Sequence, residues 1–165
     1  MTEKIIPKEH ERRFVPDMDK LPFSSFLFPA VSIHQGYLED ELMTRVRDEC
    51  DLSSAKHTYS MTRKTGEGVS RDEDEKEITM KEFYSMWDKA KNCSLSKNRF
   101  FVIHDGIKVQ VNYYDGKLLG YFQIEVEFDS HEEAVAFIPP VWLGREVTDD
   151  SQHGNYSLAK FGKPE

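Results

Sequence analysis

The chain has few of the features that mark a membrane protein, a secreted scaffold or a zinc protein. It contains only two cysteines, Cys50 and Cys93, among 165 residues. Neither belongs to a CxxC pair or to a Cys/His spacing, which argues against a disulfide framework and a zinc site. No apolar run reaches membrane-spanning length, and the first residues lack the apolar core of a signal peptide. These absences predict a protein of the reducing cytoplasm with no membrane partner.

Two further absences narrow the possible partners. The sequence has no glycine-rich phosphate loop, and its six histidines show no paired spacing typical of metal ligands, so surface or edge positions are expected for them. The net charge of −8 disfavours nucleic acid as a partner, although a local basic pocket for a small anion is compatible with it. The length predicts a single domain over residues 1–165, which we expect to act as a monomer or a homodimer.

Short segments of alternating apolar and polar residues dominate the chain. Two Asp-Gly pairs, Asp105-Gly106 and Asp115-Gly116, predict hairpin turns between such segments. Helices are predicted over Met80–Lys91, capped by Thr79, and over His131–Ile138, capped by Ser130. The predicted strands are Lys8–Val15, Val31–Leu38, Glu41–Asp48, His57–Lys64, Arg71–Ile78, Arg99–His104, Ile107–Tyr114 and Leu118–Phe128. This pattern predicts a mainly β fold with a few helices, closed into an eight-stranded antiparallel β-barrel.

One face of these strands is polar in strand after strand. Gln123, Glu125 and Glu127 share a face of the last strand, because successive side chains of a strand point to opposite sides. A solvated sheet face explains any single strand, whereas the repetition favours a charged interior. The other charged residues assigned to this face are Arg45, Arg47, Arg63, Arg71, Glu73, Glu75 and Arg99.

Two pairs of carboxylates stand out on this face. Glu9 and Glu11 lie two residues apart, followed by Arg13, and Glu125 and Glu127 repeat the spacing. Carboxylates about 7 Å apart repel each other by about 2 kcal/mol at an effective dielectric near 20. A divalent cation would reverse that repulsion, and oxygen ligands suit Mg²⁺ or Mn²⁺. Arginines on the same face would bind phosphate oxygens, so a triphosphate-containing small molecule is the predicted ligand.

Several motifs give the chain a family resemblance. Glu9-His10-Glu11-Arg12-Arg13-Phe14 resembles the N-terminal ExExK signature of the CYTH domain, the triphosphate tunnel metalloenzyme family. The motifs that agree further along the chain, in order, are Gln35-Gly36-Tyr37-Leu38, Arg45-Val46-Arg47, Ile124-Glu125-Val126-Glu127-Phe128, the string from Pro140 to Thr148 and Asn155-Tyr156-Ser157-Leu158-Ala159. The resemblance implies an eight-stranded antiparallel tunnel. Members of the family hydrolyse inorganic triphosphate, thiamine triphosphate or related compounds, and one branch cyclises ATP.

The resemblance also implies roles for individual residues. The acidic cluster that binds metal and supports catalysis would consist of Glu9, Glu11, Glu125 and Glu127, and Glu73 and Glu75 would add metal ligands. The residues implied in phosphate binding are Arg13, Arg45, Arg47, Arg63, Arg71 and Arg99, with Lys64 as a one-residue register alternative to Arg63. The predicted activity is metal-dependent hydrolysis of tripolyphosphate to pyrophosphate and phosphate. A hydrolase or cyclase that acts on an organic triphosphate is the alternative.

Three positions depart from the family pattern. Arg13 stands where lysine is usual, so a planar fork replaces a point charge. Gln110 and Asn112 stand where glutamate and aspartate are common, so two potential carboxylates are neutral amides. These amides leave open a second function, that of a catalytically weak module that binds polyphosphate or nucleotide. A lipocalin-like barrel for an apolar ligand is disfavoured, because it requires apolar residues where this chain has charges.

Overall fold

We describe the protein from a computed structural model that covers residues 8–65 and 70–164, with the backbone alone at residues 8, 9, 64, 65 and 70–73. The strands are β1 (Lys8–Val15), β2 (Ala30–Tyr37), β3 (Arg45–Asp51), β4 (His57–Thr65), β5 (Ser70–Ile78), β6 (Ser94–His104), β7 (Ile107–Tyr114), β8 (Phe122–Glu127) and β9 (Arg145–Glu146). The helices are α1 (Met80–Ala90), α2 (His131–Ala136) and α3 (Asn155–Phe161). The prediction of a mainly β fold with a few helices is therefore confirmed.

The strands form one antiparallel sheet in the order β5-β4-β3-β2-β6-β7-β8-β1-β9. The predicted closed barrel of eight strands is wrong, because the sheet is open, has nine strands and ends in the short strand β9 beyond β1. Within the described residues, the end strand β5 also pairs with β1 where Lys8–His10 lies opposite Ser70–Asp72, over three residue pairs. Strand β1 divides its length among β5, β8 and β9, so no complete ladder in the part of the chain that the structure describes closes the sheet.

This arrangement shelters one face of the sheet. Because β1 contacts strands at both ends of the order, the sheet is strongly curved and one of its faces is concave. The other face carries the main apolar core, whose buried members are Phe14, Phe100, Val102, Val109, Val111, Ile124, Val126 and Leu143. The segment between β1 and β2 lies over this core through Met18, Leu21, Phe23 and Phe28. The alternation of side chains therefore separates an apolar face from a polar one, as predicted.

Local sequence signals account for several element ends. Thr79 and Glu82 form a reciprocal capping box at the start of α1, and Ser130 caps α2 by accepting a hydrogen bond from the backbone of Glu133. Asp105 and Gly106 both adopt positive φ angles, of 49° and 76°, in the tight turn between β6 and β7. Both predicted caps and this predicted turn are confirmed. Such signals are reliable because each depends only on neighbouring residues.

Other boundaries differ from the prediction. The second Asp-Gly pair leads into a short 3₁₀ turn, Gly116–Leu118, so β8 begins at Phe122 instead of Leu118. Strand β3 begins at Arg45 instead of Glu41, and β6 begins five residues before Arg99, at Ser94. The strand β9 and the helix α3 were not predicted. Gly144 permits the approach of β9 to β1, because its φ is 81° and a Cβ there would lie 2.4 Å from the carbonyl oxygen of Val15.

Arg12 connects β1 to two later segments on the apolar side. Its Nε and Nη2 atoms each lie 2.7 Å from a carboxylate oxygen of Glu146. Its Nη1 atom donates to the backbone oxygens of Ala134, at 3.0 Å, and Phe137, at 2.6 Å. The hydrogen bond to Arg12 is the main reason why the pKa of Glu146 is lowered. Arg12 therefore anchors the end of α2 and the strand β9 to β1.

Replacement of Arg12 by lysine is expected to lower the free energy of unfolding by about 2 kcal/mol, because an ammonium cannot reproduce the bidentate contact. Urea denaturation at neutral pH would measure this loss. The contribution of Glu146 should be present above the ordinary carboxyl pKa and disappear as the pH falls through its lowered pKa. Arg145→Lys, at an exposed position on β9, is the control and should change stability by under about 0.5 kcal/mol. Equal losses in the two variants would contradict the anchoring role.

Within the described residues, no helix is long and apolar enough to span a membrane.

Candidate functional site

The candidate site is the concave polar face of the sheet. Adjacent strands β1, β8, β7 and β6 contribute one half of it, and β2 and β3 contribute the other half. We call the following buried or nearly buried side chains the polar cluster: Glu11, Arg13, Gln35, Arg45, Arg47, Lys97, Arg99, Asn112, Gln123 and Glu125. Charged groups are rarely buried unless they are paired, so this concentration needs a functional explanation.

The predicted carboxylates come together at the junction of β1 and β8. Glu11 lies directly opposite Glu127, and Arg13 lies opposite Glu125. Glu11 is 6% exposed and Glu125 is 2% exposed, whereas Glu127 at the end of β8 is exposed. The side chain of Glu9 lies outside the described residues, although its backbone position is in β1. The structure thus brings Glu11, Glu125 and Glu127 to one end of the polar cluster.

Arg99 pairs with the most deeply buried of these carboxylates. Its Nη2 atom lies 2.6 Å from Oε2 of Glu125, and its Nε atom donates to Oδ1 of Asn112 at 3.0 Å. Burial alone would lower the pKa of Arg99, but the nearby Glu125 carboxylate, supported by Glu11 and Glu127, raises it overall. Arg99 is therefore a permanently charged group held in one orientation between an acidic and a neutral partner.

Two more arginines of the polar cluster, Arg45 and Arg47, lie on β3. Arg47 donates from Nε and Nη2 to Oε1 of Gln35, at 3.1 and 2.9 Å, and Arg45 donates to Oγ1 of Thr62 at 3.0 Å. Burial, with the charges of Arg45 and Arg99, lowers the pKa of Arg47. The acceptors of these hydrogen bonds are neutral and orient the guanidinium groups, and Nη1 of Arg47 also lies 3.9 Å from a carboxylate oxygen of Glu49. This geometry suits a polyanionic ligand.

Lys97 is the most unusual member of the polar cluster. It is 1% exposed, and its Nζ atom lies 3.3 Å from Oδ1 of Asn155 and 5.3 Å from the ring centroid of Tyr114. Burial lowers the pKa of Lys97 well below its usual range, and Arg99 lowers it further. A lysine buried at this depth with neutral contacts is costly. Its ammonium group becomes favourable once an anion enters the cluster.

Arg13 is held by the segment that follows β9. Its Nη2 atom donates to the backbone oxygen of Thr148 at 3.2 Å, and its Nη1 atom lies 3.4 Å from the backbone oxygen of His153. Among the described residues its buried Nε atom has no hydrogen-bond partner, and it lies 4.0 Å from the carboxylate of Glu11. The Pro140–Thr148 string therefore contributes to the site by fixing Arg13.

The structure does not bring all the predicted residues together. Arg63 is exposed on the opposite face of β4 from Thr62, and its Nε atom approaches Oγ1 of Thr44 at 3.4 Å. The prediction that Arg63 lies on the polar face is therefore wrong. By backbone position, Lys64 is the residue of β4 that shares the face of Thr62. Glu75 lies opposite Thr62 but is exposed. The side chains of Arg71 and Glu73 lie outside the described residues.

Sequence reasoning missed several members of the site. Lys97 was missed because the predicted strand began at Arg99; alternation alone would have placed it on the polar face of a longer strand.

His153 was expected at the surface, but it is 4% exposed and its Nδ1 atom lies 2.7 Å from the hydroxyl of Tyr121. That expectation is wrong for His153. Burial lowers the pKa of this histidine, although the carboxylate of Asp150 opposes the shift, and burial raises the pKa of Tyr121 to about 12.

The cationic end of the polar cluster is covered by helix α3. Asn155 at the start of this helix accepts hydrogen bonds from Lys97 and, at 2.8 Å, from the hydroxyl of Tyr114. A second apolar core lies between the helix and the sheet, with the buried members Tyr37, Cys93, Leu95, Tyr114, Leu118, Tyr121, Leu158 and Ala159. This cover contributes to the burial of the cationic end, where a lower effective dielectric strengthens electrostatic interactions.

The donor atoms at the acidic end fit a hard divalent cation. Among the side chains that the structure describes, no three histidine, cysteine, aspartate or glutamate residues form a metal site by themselves. Glu11 and Glu125 nevertheless supply buried carboxylates, and the buried Oε1 atom of Gln110, opposite Glu125, has no hydrogen-bond partner among the described residues. Carboxylate and amide oxygens are ligands for Mg²⁺, Mn²⁺ or Ca²⁺. The residues present are therefore chemically compatible with such an ion.

A recess continues the polar face beyond the acidic end. Its cavity has a volume of about 620 Å³, and its lining includes Phe101, Ile103, Gln110 and Glu127. Phe101 is 39% exposed and Ile103 is 60% exposed, which is high for side chains of this size. The site thus combines a buried cationic end and an acidic end that borders an apolar recess.

Comparisons with known proteins identify relatives of this chain. No protein-family model matches the chain. Over 134 residues the chain is 35% identical to the inorganic triphosphatase of Nitrosomonas europaea, covering 79% of this chain and 85% of that protein. Over 156 residues it is 29% identical to the inorganic triphosphatase of Acetivibrio thermocellus, covering 93% and 94%.

Solved structures give the same result. The crystal structure of an inorganic triphosphatase matches with a TM-score of 0.65 and 30% identity. The match covers 94% of this chain and 100% of that chain. A putative adenylyl cyclase from Hippeastrum, described as having dominant triphosphatase activity, matches with a TM-score of 0.58 and 15% identity over 96% of this chain and 97% of that one. At that identity the second likeness concerns the fold alone.

Proposed function

Because the chain belongs to the triphosphate tunnel (CYTH-type) family, we propose that it hydrolyses inorganic triphosphate to pyrophosphate and phosphate with the help of a divalent cation. One observation carries the proposal. Among the side chains that the structure describes, the polar cluster contains five cationic members, Arg13, Arg45, Arg47, Lys97 and Arg99, and two buried carboxylates, those of Glu11 and Glu125. A small ligand with several negative charges would balance this excess.

The cationic residues would bind the phosphate chain. Arginine forks bind phosphate oxygens in pairs, and the buried lysine adds a point charge. Gln35, Thr62 and Asn112 hold three of the arginines through neutral acceptors, so the donors are oriented before the ligand arrives. Such preorganisation lowers the entropic cost of binding and stabilises charge that develops on the transferred phosphoryl group.

The acidic residues would hold Mg²⁺ or Mn²⁺. Glu11 and Glu125 would be the buried ligands, and Glu127 would contribute from the rim. Glu9, Glu73 and Glu75 stay as ligands implied by the family. When bound, such an ion supplies neutralisation of phosphate charge and lowers the pKa of a water molecule. Because phosphoryl transfer depends on positioning and charge stabilisation, the mechanism requires no covalent nucleophile from the protein.

An organic triphosphate is the second candidate substrate. The recess beyond the acidic end supports it, because Phe101 and Ile103 offer apolar surface next to Gln110 and Glu127. An organic group attached to the phosphate chain could occupy this space, whereas inorganic triphosphate would leave it empty. A binding module with weak catalysis is the remaining alternative, because Gln110 and Asn112 are amides.

Phosphate release from tripolyphosphate, ATP and thiamine triphosphate tests these alternatives. We expect rapid cleavage of tripolyphosphate with Mg²⁺ or Mn²⁺, and loss of activity when EDTA removes the cation. A kcat/KM that is higher for an organic triphosphate would shift the assignment to the second candidate. Tight binding of tripolyphosphate without turnover in either metal would contradict the hydrolase proposal and support the binding module.

We also propose a compartment and a type of ligand for the protein. Cys50 and Cys93 are both free thiols, which supports a reducing cytoplasm. The net charge of −8 disfavours nucleic acid as a partner, whereas the local cations of the polar cluster favour a small anion. Gel filtration with light scattering would distinguish the monomer from the homodimer.

A further inference from the structure

Asn112 occupies the centre of the polar cluster and is completely buried, with 0% of its surface exposed. Its Oδ1 atom accepts the hydrogen bond from Nε of Arg99 at 3.0 Å. Its Nδ2 atom donates to the backbone oxygens of Gln123, at 3.2 Å, and Gln110, at 3.4 Å. These two carbonyl groups can only accept hydrogen bonds, so the amide nitrogen must face them and the amide oxygen must face Arg99.

A carboxylate at this position would not reproduce these hydrogen bonds. One of its oxygens would face the two backbone carbonyl oxygens with no proton to donate, which is unfavourable in a buried site. The other oxygen would place a second negative charge on Arg99, which already pairs with Glu125 at 2.6 Å. The positive charge of Arg99 would then be more than balanced before any anion entered the site.

Arg99 keeps donors for a ligand in the present arrangement. Its Nε and Nη2 atoms bind Asn112 and Glu125, while its Nη1 atom makes no hydrogen bond with the described residues. The guanidinium plane is therefore fixed at two points by partners that carry one negative charge between them. Lys97 and Arg47 lie close enough for their charges to act on the same region.

We propose that Asn112 is a positioning residue for phosphate binding, which fixes the guanidinium of Arg99 through a neutral acceptor and so preserves the positive charge offered to the triphosphate. This inference rests on the proposed function and deepens it. Asn112 acts through Arg99 and does not itself need to contact the ligand. A neutral residue at this position favours the binding of a multiply charged anion, and it adds no further carboxylate to the site.

Calorimetric titration with tripolyphosphate in EDTA, together with steady-state kinetics in Mg²⁺, tests the inference. Asn112→Asp should weaken tripolyphosphate binding at least tenfold and raise KM by a similar factor, with kcat changed by less than about threefold. Asn112→Ala removes the acceptor without adding charge and should weaken binding three- to tenfold. The alanine variant keeps the test decisive if the aspartate variant does not fold.

Asn92→Asp is the matched control. It makes the same change from amide to carboxylate at an exposed position outside the polar cluster, so it adds the same charge to the protein without touching Arg99. Its metal-free binding should stay within threefold of the wild type. Wild-type affinity in both Asn112 variants, or an equal loss in Asn92→Asp, would overturn the positioning role. Absence of tripolyphosphate binding by the wild type would instead overturn the proposed function and this inference with it.

Discussion

Glu125→Gln is expected to reduce kcat/KM for tripolyphosphate by about 10³-fold, because the substitution removes the most buried carboxylate of the acidic end. The same variant should bind tripolyphosphate in EDTA at least as tightly as the wild type, since Arg99 loses its carboxylate partner and keeps its charge. Opposite effects on turnover and metal-free binding would identify Glu125 as a catalytic and metal-binding group. Phosphate release and calorimetric titration measure the two quantities separately.

The control for Glu125→Gln is Glu127→Gln on the same face of β8. Glu127 is exposed at the strand end, so its loss should cost less than about tenfold in kcat/KM. Thermal unfolding of both variants must show a folded protein at the assay temperature, because an isolated Arg99 would lower stability by about 1–3 kcal/mol. Equal losses of activity in the two variants, or more than a tenth of wild-type activity in Glu125→Gln, would contradict the assignment.

Lys97→Met is expected to stabilise the empty protein and to weaken its binding of triphosphate. The substitution keeps an unbranched side chain of similar volume and removes a buried charge whose contacts are an amide and an aromatic ring. We expect the free energy of unfolding to rise by about 1–3 kcal/mol. The affinity for tripolyphosphate should fall on the order of 30-fold, as for the loss of a buried charged hydrogen bond.

Proton uptake on binding gives an independent test of the contact between Lys97 and the anion. Burial lowers its pKa in the empty site, and an anion beside it would raise that pKa again. At a pH between the pKa of Lys97 in the empty site and its higher pKa in the complex, binding should take up protons. Across this interval the affinity for tripolyphosphate should decrease as the pH rises. Titrations in two buffers of different ionisation enthalpy would detect the uptake, which Lys97→Met should abolish.

The control for Lys97 is Lys89→Met, at an exposed position of α1. It removes the same charge from the protein and should change stability by less than about 0.5 kcal/mol and affinity by less than twofold. A Lys97→Met variant that is less stable than the wild type, or that binds tripolyphosphate equally well, would contradict this role. It would show that the buried ammonium group does not serve to bind the anion.

The site was predictable from the sequence where it depends on strand alternation. Glu11, Glu125, Arg45 and Arg47 share the polar face because a strand has a period of two residues, and this period requires no knowledge of distant contacts. The hairpin at Asp105-Gly106 was predictable because these two residues readily adopt the positive φ angles of a tight turn. Arg63 shows the limit of this reasoning, since an error of one residue in a strand reverses the face.

Other features depend on contacts between distant segments. The depth of Glu125 and the exposure of Glu127 follow from where β8 ends against β1. The burial of Lys97 requires α3, which is 58 residues away at Asn155. The sharing of β1 among three partner strands, which leaves the sheet open, is likewise invisible in the sequence of any one strand.

The amino-acid sequence alone therefore decided which side chains lie on each face, where the caps and the tight turn occur, and that cations and carboxylates meet on one side of the sheet. These are properties of neighbouring residues, whose geometry is local. The tertiary structure decided which of the charged groups are buried, which neutral residues orient them and how much positive charge is left for a ligand. Those quantities depend on register, on the curvature of the sheet and on the covering helix, because desolvation and electrostatic coupling are set by every group that surrounds a charge.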